Sequence, residues 1–263
     1  MRKYFLIFKN AIREGMIYRI DTLTFLFSEI LIFFSLFYLW SSAYGESVTI
    51  GNYSLKEMLF YYLAAHFILL TAKNNEITWM IGEEIRMGSF NIFLVQPLDY
   101  SKYILFYILG KSFFNTLIFT SAFCVIFIFF GQYLDPPNEI SRYIYFIISV
   151  GLGFFIHFFF NYIIGLSTFW LGMIQGIIFS FWSTSSLLEG SIVPLDLLPD
   201  FLQRINDFLP FKYTVFVPIS ILNGKIDPDL ALFLIPVFWI LFLFFLSKFI
   251  FKKGIKRYEG FGI

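Results

Sequence analysis

The chain has 263 residues, 59% of them hydrophobic and 14% charged, with a mean hydropathy of +0.77. Soluble chains run about 45–50% apolar and about 25% charged, and a soluble fold of this length has too little interior to hide the excess. A net charge of +1 provides no basic surface for nucleic acid, and the lone Cys124 with two histidines offers neither an internal disulfide nor a metal-ligand set. These figures predict a membrane protein with no cofactor of its own. The aromatic residues, 23% of the chain, read as a lipid-facing surface with a strong Phe bias rather than as a binding site.

In chain order, Phe5, Phe8, Ile12 and Met16 recur at helical spacing, with Lys9, Arg13 and Glu14 elsewhere around the helix. The pattern predicts an amphipathic helix over 1–20 lying in the membrane interface, with a plain basic anchor as the alternative. Its charges interrupt any signal-peptide core, and no small-residue cleavage site follows. Six windows then approach the roughly 20 apolar residues needed to cross a hydrocarbon core of about 30 Å. They are 22–41, 58–72, 103–131, 143–165, 167–188 and 230–251, the second being short. Segments 33–39 and 126–130 do not alternate in polarity, so the spans are helices rather than barrel strands.

With the N-terminus in the cytoplasm, 14 of the 19 Lys and Arg residues fall on or beside inside segments, Lys73, Arg86, Lys102 and Lys111 among them. The positive-inside bias therefore predicts that both ends are cytoplasmic. Two connections are too rich to be simple turns. Residues 73–102, predicted cytoplasmic, carry mixed charge, a helical stretch around 77–86, a Gly88-Ser89 break and a stop at Pro97. Residues 189–229, predicted external, hold Pro194, Pro199, Pro210 and Pro218 between apolar residues, a composition suited to short helices dipping into the outer leaflet. The predicted fold is all-α and polytopic, one transmembrane domain over 1–263.

Catalytic readings fail on spacing. Gly110-Lys111-Ser112 resembles the tail of a phosphate-binding loop, but the required first glycine would fall at Leu105 and a span begins there. The chain has no ATPase of its own. No Gly-x-Ser-x-Gly elbow appears, and Asp21 is the only aspartate near a span interior, so neither type of intramembrane protease fits. Glu29 lies in the middle of the first span, where an ionised carboxylate costs about 2.5–3.5 kcal/mol unless it faces protein or water. It marks either a translocation path or a hydrogen bond between helices. His66, Asn115, His157, Asn161 and Gln175 raise the same two readings. Gly172-x-x-x-Gly176 predicts close helix packing in the fifth span, against a helix of the same chain or of a second one.

One run reads Glu84-Ile85-Arg86-Met87-Gly88-Ser89-Phe90, followed by Leu94 and Pro97. A second reads Leu198-Pro199-Asp200-Phe201-Leu202, then Leu209-Pro210-Phe211-Lys212-Tyr213, Pro218 and Ile221-Leu222-Asn223-Gly224. In this order, between these spans, they resemble the ABC-2 type permeases, the membrane subunits of bacterial ABC exporters with the type V fold. The resemblance covers essentially the whole chain. It implies a pair of permeases, identical or homologous, in the bacterial inner membrane on two separate subunits that bind the ATP. It further implies that 77–94 is a coupling helix, with Glu83, Glu84 and Arg86 pairing with the ATPase and Met87 and Phe90 seated in its groove. Gly88, Leu94 and Pro97 would belong to the same ATPase-coupling set. Pro199, Pro210, Phe211 and Tyr213 would belong to an outer gate.

Two other classes compete. An ion-gradient-driven transporter or channel would show an internal repeat, and none is evident between 1–131 and 132–263. A mere anchor recruiting a partner through 73–102 would need no Pro-rich hairpin.

Overall fold

The computed structural model describes residues 2–17, 19–45 and 48–258; within them only the backbone is described for 19–23, 25 and 26. Met1 and Tyr18 of the predicted 1–20 helix therefore lie outside the described residues, as do the side chains of Arg19 and Asp21. The chain is mostly helical. α1 (Arg2–Ile17) precedes α2 (Arg19–Tyr44), and a two-residue ribbon of β1 (Thr49–Ile50) and β2 (Tyr53–Ser54) leads into α3 (Leu55–Thr71). The strands are antiparallel, with Thr49 opposite Ser54 and Ile50 opposite Tyr53. α4 (Glu76–Arg86), α5 (Asn91–Val95), α6 (Tyr100–Phe130) and α7 (Ile140–Leu166) follow. The last third holds α8 (Thr168–Leu171), α9 (Gln175–Leu188), α10 (Asp200–Asp207), α11 (Phe216–Leu222) and α12 (Leu230–Arg257).

Helix starts are set by side chains that take up free backbone N–H groups. Ser54 and Glu57 form a reciprocal capping box on α3, with Glu57 N donating to Ser54 Oγ at 3.3 Å and Ser54 N to Glu57 Oε2 at 2.7 Å. Asp99 accepts from Lys102 N at the start of α6, and Asp229 from Leu232 N at the start of α12.

Among the described residues, five helical stretches are long and apolar enough to cross a membrane: Phe27–Tyr44, Leu55–Arg86, Tyr100–Tyr133, Ile140–Leu171 and Leu230–Arg257. The second is the central one, with 61% of its apolar window buried against 17% in the first, third and fifth. Outward faces of the others carry large apolar groups, such as Ile128, Phe129, Phe238 and Phe245. That distribution is expected where lipid, not water, is the solvent.

Three predicted features need correction. The short window 58–72 does not end in a loop at Lys73: after a kink at 72–75 the helix resumes as α4, so the connection shrinks to 87–99. α4 lies against α7 through Ile77, Ile81 and Ile85, a buried stripe at helical spacing. The approach is closest at Gly165, where a Cβ would fall 2.8 Å from Ile81 Cβ. The window 167–188, predicted as one helix, is broken into α8 and α9 by Gly172, whose φ of +66° suits glycine. Among the described residues Gly172-x-x-x-Gly176 forms no packing seam, since a Cβ added at either position meets nothing within 4 Å beyond its own local backbone.

α1 is fixed along the first turns of α6. Asp99 N donates to Tyr4 Oη at 3.1 Å, Tyr107 Oη to Glu14 Oε2 at 3.0 Å, and Lys3 Nζ to the Pro97 carbonyl. Phe5, Leu6, Met16 and Ile17 stay exposed on its other side.

Candidate functional site

The turn after α4 is a rigid pedestal with an exposed apolar tip. Gly88, at φ +79°, reverses the chain. Phe90 is fully buried among the rings of Tyr100, Phe169, Phe251 and Tyr258, with centroids 5.0, 5.4, 6.2 and 5.2 Å away. Glu84 faces inward and accepts from Tyr100 Oη at 2.5 Å. Both residues therefore hold the turn from within; neither is the outward contact that the resemblance implies. The surface is made instead by Met87, Ile92, Leu94 and Val95, exposed by 67, 52, 48 and 84%. Glu83, Arg86 and Pro97 are exposed beside them. Arg86 also lines a cavity with Trp170, Arg257 and Tyr258.

At the opposite end of α4 the kink carries Lys73, Asn74 and Asn75. Lys73 Nζ reaches Glu189 Oε2 at 2.8 Å and donates to Ser186 Oγ at 3.1 Å. Glu189 is fully buried and Lys73 only 5% exposed. On α7, His157 places Nε2 3.6 Å from Glu189 Oε1, and neither atom makes a hydrogen bond to a described residue. Asn74 Nδ2 donates to Ser112 Oγ of α6 at 2.6 Å. Removing one member of a buried ion pair costs about 3–5 kcal/mol, because the other charge is left without a partner.

Glu189 is also where the hairpin over 189–229 is anchored. Its carbonyl accepts from Phe216 N at 3.0 Å, while Tyr61 Oη and Tyr62 Oη donate to the Gly190 and Ile192 carbonyls at 2.6 Å each. Further along, Tyr53 Oη donates to Asp196 Oδ1 at 3.1 Å. Burial and the Asp196 carboxylate push the Tyr53 phenol above its usual range, so it stays protonated and able to donate. Of the predicted gate residues, Pro199 precedes α10 in an exposed position and Pro210 is buried. Phe211 stacks on Phe160 of α7 at 5.2 Å, and Tyr213 is buried.

The predicted polar path does not converge. Glu29 pairs with His66 Nδ1 at 3.2 Å, a contact between α2 and α3. Asn161 Oδ1 accepts from Thr78 Oγ1 at 3.0 Å, joining α7 to α4, and Asn115 Nδ2 donates to the Leu70 carbonyl. Gln175 is exposed at a crevice shared with Trp79, Glu83 and Arg86. Only His157 belongs to the Lys73–Glu189 cluster. Lys73 and Glu189 are not singled out by the sequence because each closes an apolar window and falls in a predicted connection, on opposite sides of the membrane. The available signal was their opposite charge at the ends of two such windows.

The family model described as ABC-2 family transporter protein matches residues 26–262, from α2 through the end of α12. A comparison with curated proteins yields no match. A bundle of long apolar helices, a short connection with an apolar tip and a hairpin before the last helix all lie within the matched segment. The chain belongs to the ABC-2 transporter family and is a permease component of an ABC transporter.

Proposed function

We propose that this chain is the membrane-spanning subunit of an ATP-driven exporter, working as a pair of permeases in a bacterial inner membrane. Separate subunits bind the ATP, and both termini face them in the cytoplasm. Residues 87–97 dock on the ATP-binding subunit, α1 lies in the cytoplasmic interface, and the hairpin over 189–229 gates the outer exit. The chain works as one transmembrane domain, with the broken α8–α9 path as its sixth crossing. One observation carries the reading: four large apolar side chains stand exposed on a turn whose interior is packed by Phe90 and bonded through Glu84. Apolar groups held out on a rigid support, with Glu83 and Arg86 at the rim, fit a protein groove better than water or lipid. The bonds from Lys3 and Tyr4 to residues 97 and 99 link α1 to the same surface, so a push on the turn reaches the interface.

Met87→Asp with Leu94→Asp tests the docking surface. Both positions are exposed, so the thermal midpoint in detergent stays close to wild type. The ATP-binding subunit of the same transporter, co-purified with the wild type, is lost from the variant. Undiminished co-purification would move the docking surface elsewhere. A wild-type chain that binds no such subunit would overturn the exporter reading itself.

A further inference from the structure

Between tip and hairpin, α4 offers a direct mechanical path. α4 is eleven residues long, about 16 Å, with the tip at one end and the Lys73 kink at the other. It cannot flex against α7 without disturbing the Gly165–Ile81 approach and the Thr78–Asn161 hydrogen bond. At the kink, one residue makes all three connections. Glu189 reaches Lys73 through Oε2, faces His157 of α7 through Oε1, and holds the first residue of α11 through its carbonyl.

The cluster is incompletely satisfied. Lys73 sits at a short 2.8 Å, whereas His157 stands off at 3.6 Å with its Nε2 unused. An imidazole carrying its proton on Nε2 can donate to a carboxylate while neutral. Glu189 thus has Oε2 engaged by Lys73 and Oε1 within a sub-ångström shift of His157, so a second arrangement, with His157 as the nearer partner, needs only a small displacement. A buried network with two arrangements meets the physical requirement for passing a displacement between sites.

Resting on the exporter reading, we propose that Lys73, Glu189 and His157 form the joint that couples the cytoplasmic tip to the outer hairpin. Movement of α4 draws Lys73 away, Glu189 passes to His157, and the hairpin anchored at Glu189 is released or re-seated. All three are positioning residues: they act through the hairpin and need touch no cargo. A purely structural pair would only require that the buried charges be matched.

The test separates these roles by replacing the pair with apolar residues, Lys73→Met with Glu189→Leu. Removing both charges together leaves neither stranded, so folding is retained. Wild type and variant are each purified with the ATP-binding subunit in nanodiscs. Hydrogen exchange over residues 189–229 is then followed with and without ATP and vanadate. In the wild type ATP changes the protection of this segment; in the variant the subunit still binds, and the ATP-dependent change falls about 5- to 150-fold, the span of ordinary coupling energies. Lys73→Gln with Glu189→Gln also removes both charges but keeps hydrogen-bonding groups at the kink, and it gives the same loss where the apolar pair does not fold. A full wild-type response in a folded variant would reduce the cluster to a structural pair. A wild-type hairpin that ignores ATP although the subunit is bound would overturn the joint alone, whereas failure to bind the subunit would overturn the exporter reading.

Discussion

Phe90→Ala lowers the stability of the folded chain by about 3–5 kcal/mol, the usual cost of emptying a buried phenylalanine site. The side chain is fully buried, and besides Phe93 of α5 the rings around it come from α6, α8, α12 and the residue that follows α12. No single neighbour can collapse into the space without leaving the others. Met87→Ala, three residues earlier and 67% exposed, leaves the thermal midpoint close to wild type. Comparing the two midpoints in one detergent checks the assignment. Equal midpoints would mean that the turn is not held by its aromatic interior and that Phe90 is free to act as a contact.

Gly165→Leu prevents α4 from seating on α7. A Cβ alone would stand 2.8 Å from Ile81 Cβ and 3.1 Å from its Cγ2, well inside contact distance, and a leucine adds three more carbons. Overpacking a tight contact costs about 1–3 kcal/mol, and here the neighbour cannot yield without shifting a helix. The expected result is a lower yield of monodisperse protein and a lower midpoint, with partial recovery when Ile81→Ala is added. That recovery is the discriminating measurement, since non-additivity marks residues in direct contact. Strict additivity would separate the two helices at this point.

Several features were legible in the chain because hydropathy reports them directly. The windows behind α2, α6, α7 and α12 are long, nearly uncharged and closed by polar residues, so only their ends shifted by a few residues. α4 is legible as the helical stretch around 77–86, but its burial against α7 is hidden by its charges. Glu76, Glu83, Glu84 and Arg86 depress the local hydropathy, and the segment read as a loop with a helical stretch. The stripe of Ile77, Ile81 and Ile85 gave the buried face away, at a spacing of four. For the candidate site, the motif around Glu84 to Pro97 located the turn, but motif membership could not say which side chains point inward. Phe90 and Glu84 turned out to be its support. Lys73 and Glu189 were illegible for a different reason: their pairing depends on a kink and on a helix broken at Gly172, both properties of the backbone.

The length of α6 has a geometric corollary. Its 31 residues rise about 46 Å, and even a tilt of about 40° leaves about 35 Å along the bilayer normal, more than a hydrocarbon core of about 30 Å. The surplus emerges at one end, and α1 is bonded along the end that carries residues 97–99. The two helices act as a spacer with a phase as well as a height. Each residue inserted into the first turns of α6 lengthens it by about 1.5 Å and rotates everything beyond by about 100°. Adding one residue therefore turns the start of α6, and the connection before it, well out of its original direction. Adding seven, almost two full turns, returns it to within about 20° at a changed height. Height can thus be changed at nearly constant angle, whereas a change of angle always brings a change of height.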